Sequence, residues 1–314
     1  MREVNSCPCC GKLNIRTKKK FQFAHPGNDI QNNLKNISYV RLWILFDKIL
    51  KIKNPIEFKI MICEDWGFVF LNPRLNEEEI KTKYEVTNEL GDVKLRYSLN
   101  PPQNLEKRAL RIYKLIKQHF PGNLENKKVL DYGGSWGYNL YPFLENNKAY
   151  ILDYEKWEKY KEGINYVGHD FSSLENNDFF DVILILHTLE HVIHPFAFLK
   201  EAINHLSPKG LIYVEVPLGV FYEYRNLKDP ITHLNFFSEE SLAKIFQSLG
   251  LKIIHISTRN QWITVSKDLC INIIGIKDDH IQSDEKIKFH STFFQTYNYF
   301  YLFPLILNKL CSRF

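Results

Sequence analysis

From about Lys127 onward, short apolar runs alternate with stretches of helical spacing, and this alternation restricts the fold more than any other feature of the chain. Val129-Leu130-Asp131-Tyr132 reads as a strand end, and Gly133-Gly134-Ser135-Trp136-Gly137 as a turn entering a helix. Ala149 to Asp153 and Asn165 to Val167 are two further strands. Asp181 to Leu186 is a continuous apolar run, which a central parallel strand buried on both faces requires. Pro195 to Leu206 carries Phe196, Leu199, Ile203 and Leu206 at helical spacing. Pro208-Lys209-Gly210 then turns into a strand from Leu211 to Val216, and strands Lys252 to Ser257 and Leu269 to Ile276 complete the set. Strand and helix alternating at this spacing imply an α/β fold, a doubly wound sheet with right-handed crossovers.

Ligands of such sheets bind beyond the carboxyl ends of the strands, and those ends carry the informative residues. The glycine turn lets backbone approach a ligand that bulkier side chains would exclude. Its spacing is not the dinucleotide G-x-G-x-x-G, which disfavours a nicotinamide dehydrogenase. Asp131 precedes the turn. Asp153 ends the second strand, where a carboxylate can accept two ribose hydroxyls, and Asp170 follows the third, placed to receive an adenine amino group.

The front of the chain differs. Three of six cysteines fall within the first ten residues, and Cys7 and Cys10 have the C-x-x-C spacing that lets two thiolates reach one tetrahedral metal. Cys63 supplies a third ligand, but Trp66 stands where a second C-x-x-C would place the fourth. Cys9 and His25 are the candidates to complete a zinc site; the other reading is the remnant of such a site, held by packing. Between the clusters, Ser38 to Lys51 is expected to be an amphipathic helix, followed by a strand over Gly67 to Leu71. Asn76 caps a helix with Glu77, Glu78 and Glu79 in its first turn. Asn100-Pro101-Pro102 marks a boundary before a helix from Leu105 to His119.

Composition narrows the class of protein. With 45% hydrophobic and 25% charged residues among 314, general disorder is excluded. The net charge of +5 is spread along the chain, and Lys18-Lys19-Lys20 is read as a solvated face, so no nucleic-acid partner is expected. The polar, cysteine-rich start is not a signal peptide, and the apolar stretch Phe300 to Leu307 is too short to span a bilayer. A cytoplasmic protein is expected. The aromatic tail, with Phe293, Phe294, Tyr297, Tyr299, Phe300, Tyr301 and Phe303, is read as a packed helix or dimer partner, or as a peripheral membrane contact.

These residues together resemble the class I S-adenosylmethionine-dependent methyltransferases, of the methyltransferase-23 type. The resemblance runs from about Val129 to Ile254 and includes the glycine turn, Asp153, Asp170, Phe180-Asp181-Val182-Ile183 and Leu189-Glu190-His191-Val192. It continues through Leu206-Ser207-Pro208-Lys209-Gly210 and His233-Leu234-Asn235-Phe236-Phe237-Ser238. Ser135 stands at the middle glycine of the usual D-x-G-x-G-x-G. The resemblance implies a seven-stranded Rossmann-like sheet over residues 91–280, preceded by a zinc-ribbon-like domain over 1–90 and followed by the tail over 281–314. It implies S-adenosylmethionine bound by Asp131, Gly133, Gly134, Ser135, Gly137, Asp153, Asp170 and His187. The front resembles zinc-binding domains that precede methyltransferases of sugars and other biosynthetic intermediates, with structural zinc on Cys7, Cys10 and Cys63.

The implied activity is methylation of a small biosynthetic acceptor, a nucleotide sugar or surface-polysaccharide sugar. Two other readings stand beside it: a quinone or phenolic O-methyltransferase, and a non-catalytic binding module of the same fold. Because the methyl donor is already a strong electrophile, alignment supplies up to roughly 7–11 kcal/mol of the barrier reduction, and a base only about 10²–10⁴-fold. His187, His191 and His233 follow sheet strands on the ligand side; His233, His191 and Glu190 are the candidates to act on the acceptor. His187-Thr188-Leu189-Glu190-His191 corresponds to an E-x-x-E-H magnesium motif of quinone O-methyltransferases. With His187 replacing the first acid, a hard oxygen-preferring cation is disfavoured.

Overall fold

A computed structural model of the chain describes residues 1–90, 102–157, 160–219, 227–262 and 267–277. The aromatic tail, and with it the packed-helix and membrane-contact expectations, lies outside the described residues, as does the Asn100-Pro101 boundary.

The front contributes β1 (Ile15–Phe23), β2 (Ile56–Cys63) and β3 (Val69–Asn72). The later chain contributes β4 (Lys128–Tyr132), β5 (Lys148–Leu152), β6 (Ile164–Gly168), β7 (Phe180–Leu186) and β8 (Leu206–Pro217). It ends with β9 (Asn235–Phe236), β10 (Leu251–Trp262) and β11 (Lys267–Lys277). The helices longer than one turn are α1 (Ile37–Trp43), α2 (Glu77–Glu89), α3 (Pro102–His119), α4 (Pro195–Asn204) and α5 (Glu239–Ser248).

Seven strands form one sheet in the order β10-β11-β8-β7-β4-β5-β6. The pairs β4–β5, β4–β7, β5–β6 and β7–β8 are parallel, whereas β11 runs antiparallel between β8 and β10. The sheet matches the doubly wound expectation. Its chain order reverses at β4, which has β5 on one side and β7 on the other, so the ligand crevice belongs at the carboxyl end of β4.

The apolar run in β7 is buried on both faces. Ile183 and Ile185 join a cluster with Leu130, Val214, Val216 and Leu242, while Val182 and Leu184 join Ile112, Ile116, Val129 and Phe143 on the other face. Each such side chain contributes about 1.5–3 kcal/mol on burial, and at the start of the strand Asp181 Oδ2 accepts from the Lys128 N–H of β4 at 2.9 Å. Ser238 and Ser241 form a capping box at α5, as Asn76 and Glu79 do at α2.

The front makes a four-stranded antiparallel sheet, β1-β2-β3-β9, whose last strand comes from far along the chain. Its core joins Ile44, Phe46, Phe58 and Ile60 to Ile231, Leu234 and Phe236. Residues 1–281 accordingly pack as one compact unit. No helix among the described residues is long and apolar enough to cross a membrane.

Three local expectations change in detail. The helix expected over 38–51 is α-helical only to Trp43 and continues as a π-helical stretch, Ile44–Leu50, closed by Lys51 at φ +55°. The wider turns bury Ile44, Leu45 and Phe46 together. The glycine turn enters a 3₁₀ segment, Tyr138–Phe143, in which Pro142 removes a backbone donor. Pro208-Lys209-Gly210 is a bend within β8, with Lys209 at φ +60°, and not a turn before it.

Candidate functional site

The first element of the site is the turn after β4. Gly133 has φ +72°, and a Cβ there would lie 2.5 Å from Thr188 Oγ1. A Cβ on Gly134 would lie 2.5 Å from Asp131 Oδ2, so the turn closes only without side chains. Ser135, at φ +48°, takes the left-handed backbone that its place in the glycine pattern demands. Its N–H donates to Asp153 Oδ2 at 2.8 Å, and the Glu155 N–H donates to Asp153 Oδ1 at 3.0 Å. The end of β5 is thereby tied to the turn after β4. Each Asp153 oxygen keeps a further lone pair.

Asp131 is fully buried. Its Oδ2 accepts from Asn139 at 3.0 Å, and its Oδ1 has no hydrogen-bond partner among the described residues. Burial raises its carboxyl to about 7, against the opposing effect of Asn139. Burial also raises Asp153, while the two loop N–H donors hold it down. Asp170 is exposed and caps the turn Phe171–Ser173, accepting from the Ser172 N–H at 2.9 Å. The structure therefore brings Asp131, Gly133, Gly134, Ser135, Gly137 and Asp153 to the carboxyl ends of β4 and β5, with Asp170 following β6.

The second element follows β7. Glu190 is 1% exposed, and neither of its carboxylate oxygens has a hydrogen-bond partner among the described residues. His191 Nε2 stands 3.7 Å from Glu190 Oε1. On the opposite side of the His191 ring, Nδ1 lies 2.5 Å from the Thr232 carbonyl oxygen; only a donated N–H makes that contact favourable, so Nε2 carries the lone pair. The His233 ring lies 4.8 Å from that of His191, and burial together with His233 keeps His191 neutral. The three candidates expected on the acceptor side are thus one cluster.

His187 sits differently. Its Nε2 is 3.0 Å from Glu215 Oε1 and its Nδ1 is 3.4 Å from Glu190 Oε1, so carboxylates take up both ring nitrogens. Burial works against its charge, but contacts with Cys270, Glu190 and Glu215 hold it protonated. Arg108 of α3 also binds Glu215 through Nε at 3.2 Å, and the Tyr213 hydroxyl lies 2.9 Å from Glu215 Oε2. Despite its burial, the Arg108 guanidinium and His187 keep Glu215 ionised.

The loop that carries His233 is held by residues that sequence reasoning missed. Asp229 Oδ1 accepts from the N–H groups of Ile231 and Thr232, and Asp229 Oδ2 takes Arg41 at 3.2 Å. Arg74, 2% exposed, donates to the carbonyls of Leu234 at 3.0 Å and Ile193 at 2.7 Å, and to Asn235 Oδ1 at 2.9 Å. Asn235 Nδ2 donates to the carbonyls of Leu189 and Val192. Arg41 and Arg74 come from the front of the chain, so the front braces the loops that bear His191 and His233. Glu215 had a sequence signal, since a charge inside the apolar run Leu211 to Val216 must be paired. Arg74 and Asp229 had none.

The third element is the cysteine cluster. One sulfur from each of Cys7, Cys10 and Cys63 lies within 4.8 Å of the others, with Cys10 Sγ and Cys63 Sγ 3.6 Å apart. Tetrahedral zinc–thiolate bonds of about 2.3 Å place sulfurs roughly 3.8 Å apart, so the donor set fits zinc. A hydrogen bond from Cys9 lowers the Cys7 thiol to about 5, while burial pushes Cys10 up to about 12. His25 is engaged elsewhere, 2.7 Å from Asp47 Oδ2 and 2.8 Å from Lys53 Nζ. Trp66 packs against Phe196.

Comparison with known proteins agrees with this architecture. Residues 105–256 match the family model described as a methyltransferase domain. Over 146 residues, 43% of this chain, the sequence is 24% identical to a ubiquinone biosynthesis O-methyltransferase from Rickettsia akari (strain Hartford). The match spans 55% of that protein, about half its length. Among solved structures, the Burkholderia thailandensis 1,6-didemethyltoxoflavin-N1-methyltransferase, with bound 1,6-didemethyltoxoflavin and S-adenosylhomocysteine, is similar in fold. It is 15% identical with a TM-score of 0.50, covering 69% of this chain and 98% of that one.

Proposed function

Residues 105–256 are a class I methyltransferase domain, and from that premise we propose that the chain transfers a methyl group from S-adenosylmethionine to a small-molecule acceptor. The observation that carries the reading is the Gly133–Gly134 turn after β4, tied through the Ser135 N–H to Asp153. The fit to the cofactor rests on this structure. Gly133 and Gly134 let the turn close against Thr188 and Asp131, Asp153 keeps lone pairs for ribose hydroxyls, and Asp131 offers a buried oxygen with no hydrogen bond among the described residues. Asp131, Gly133, Gly134, Ser135 and Gly137 would hold the cofactor's methionine end, Asp153 its ribose and Asp170 its adenine. When bound, the cofactor supplies an electrophilic methyl group; the chain's part is to align the acceptor, exclude water and accept the acceptor's proton.

On the acceptor side stand Glu190, His191 and His233, with the Thr232 carbonyl fixing the His191 tautomer. His187 supports this arrangement by holding both Glu190 and Glu215. Cys7, Cys10 and Cys63 would hold a structural zinc ion that staples the start of the chain to the β2–β3 connection. Its role is support, as β9 and Arg74 already couple the front to the acceptor loop.

Two acceptor classes follow. A phenolic oxygen is favoured by the Rickettsia akari relative, whose name is that of an O-methyltransferase of quinone synthesis. A sugar hydroxyl rests only on the resemblance read from the cysteine pattern at the front of the sequence. Calorimetry with S-adenosylhomocysteine, followed by methyl transfer from labelled cofactor to panels of catechols and nucleotide sugars, tests the reading. One site per chain and labelled product from one panel are expected; absence of cofactor binding would overturn it in favour of a non-catalytic module.

A further inference from the structure

Between the start of the chain and the first turn of α4 lies a cavity of about 910 Å³ that methyl transfer does not use. Arg74 is one of the residues lining it. The terminal nitrogens of Arg74 are spent on the carbonyls of Leu234, Val192 and Ile193 and on Asn235. Its buried Nε–H has no partner among the described residues, a costly state for a charged donor. Arg2 and Arg74 exchange both backbone hydrogen bonds at 2.9 Å, so their side chains leave the same face, and Arg2 also lines the cavity. The start of α4 supplies further donors. Pro195 has no N–H, and the N–H groups of Phe196 and Ala197 meet no side-chain cap. Both residues line the cavity. Burial, with the charges of Arg74 and Arg2, holds the neighbouring His194 imidazole below its ordinary value against Glu77, so the field here is positive.

A guanidinium N–H and an uncapped helix N-terminus on one cavity call for an anion. The acids of the cavity set its charge. Glu3, Glu77 and Glu78 also line it. Glu3 pairs with Lys59 at 3.5 Å, and Glu77 and Glu78 lie in the first turn of α2, where they balance that helix's own N-terminus. Such walls admit one negative charge and disfavour a phosphate dianion. Two neighbouring backbone N–H groups and one guanidinium N–H suit the two oxygens of a carboxylate. Val4, Leu13, Leu75, Ile193 and Phe196 supply apolar wall for the rest of a ligand. We propose that this cavity binds a small organic carboxylate, its head group on Arg74 Nε and the N–H groups of Phe196 and Ala197, its apolar body against those side chains. Because Arg74 also holds the Leu234 carbonyl, an occupant bears on the loop that carries His233. That last consequence rests on the methyltransferase reading, whereas binding of the carboxylate does not.

Calorimetry of the full chain with benzoate, and with inorganic phosphate as the competing anion, tests the proposal. Benzoate should bind at one site per chain and more tightly than phosphate. Ala197 is exposed, so its side chain can be exchanged without disturbing the core. Ala197→Glu places a carboxylate in the first turn of α4, which suits the helix but repels the ligand; Ala197→Lys does the reverse. Benzoate should therefore bind Ala197→Glu at least about 5-fold more weakly, with no fall in melting temperature, and bind Ala197→Lys at least as tightly as the native chain. Loss of affinity without loss of stability excludes damage to the fold as its cause. The proposal is wrong if benzoate does not bind, if phosphate binds more tightly, or if Ala197→Glu keeps the native affinity. Should Ala197→Glu fail to fold by circular dichroism, Arg74→Lys, which has no Nε donor, decides by the same criterion. S-adenosylhomocysteine is titrated into the same preparation. Cofactor binding without benzoate binding overturns this inference alone, and benzoate binding without cofactor binding overturns the methyltransferase reading alone.

Discussion

His187 Nε2 stands 3.0 Å from Glu215 Oε1, and the same oxygen takes the Arg108 guanidinium, joining the end of β7 to β8 and α3. Glu215 is fully buried, so removing its main counter-charge strands an anion. Arg108→Met should cost about 3–5 kcal/mol, lowering the melting temperature by roughly 10 °C. Glu215→Gln should cost a comparable amount, because it leaves the buried Arg108 guanidinium without its counter-charge. The sign with pH follows from the depressed Glu215 carboxyl. Its stabilisation is fully present above the unfolded value of 4.5 and is lost as pH falls toward the folded value. Thermal melts between about pH 5 and 3.5 should therefore fall more steeply for the native chain than for Glu215→Gln.

Asp131 has the opposite shift. Its carboxyl, raised by burial to about 7, is partly protonated at neutral pH. A cationic cofactor attracts the ionised form, so binding releases a proton. Affinity for S-adenosylmethionine should rise from about pH 6 to 8, by no more than about 10-fold per unit for one proton. The neutral thioether product should show a weaker rise. Asp131→Asn should flatten both profiles in calorimetric titrations. In the free protein the raised value costs stability as pH climbs above 3.8, and the same substitution removes that slope.

The sheet was legible because hydrophobic burial is written in periodicity. Val182 to Leu186 had to be buried on both faces, and alternate residues of β7 do enter opposite clusters. The turn was legible because Gly133 and Gly134 leave no room for a Cβ. The acceptor side was legible only as separate histidines. That His191 and His233 meet depends on the Asp229 turn and on Arg74, whose partners lie more than a hundred residues away. No local pattern records such a pairing. Fine boundaries failed for a related reason: the π-helical stretch after Trp43 is chosen by tertiary packing of Ile44, Leu45 and Phe46.

Ser135 and Gly134 should respond oppositely to substitution. The left-handed backbone of Ser135 costs about 1–2 kcal/mol relative to glycine, and the N–H that reaches Asp153 belongs to the main chain. Ser135→Gly should therefore raise the melting temperature by a few degrees and leave cofactor binding within about 3-fold. Gly134→Ala drives a methyl group to 2.5 Å from Asp131 Oδ2, so the turn must shift. Cofactor affinity should then drop by at least about 10-fold, or about 1.4 kcal/mol. Isothermal titration with S-adenosylhomocysteine reads both.

Arg74 links the front of the chain to chemistry that it does not itself perform. Its fork holds the carbonyls of Leu234 and Ile193 and the side chain of Asn235, which fixes the loops bearing His233 and His191. Burial lowers the guanidinium to about 10, still well above neutral pH, so the charge persists. Arg74→Lys keeps the charge but offers one compact ammonium in place of a planar fork. At least one buried carbonyl then loses its donor, at about 1–3 kcal/mol. Methyl transfer should fall by about 10-fold or more, through misalignment of the acceptor loop. Cofactor affinity should hold, because no cofactor-turn residue touches Arg74 among the described contacts. Steady-state kinetics beside calorimetry separates the two effects. Equal losses in turnover and cofactor affinity would mean that Arg74 supports the whole fold and does not specifically position the acceptor loop.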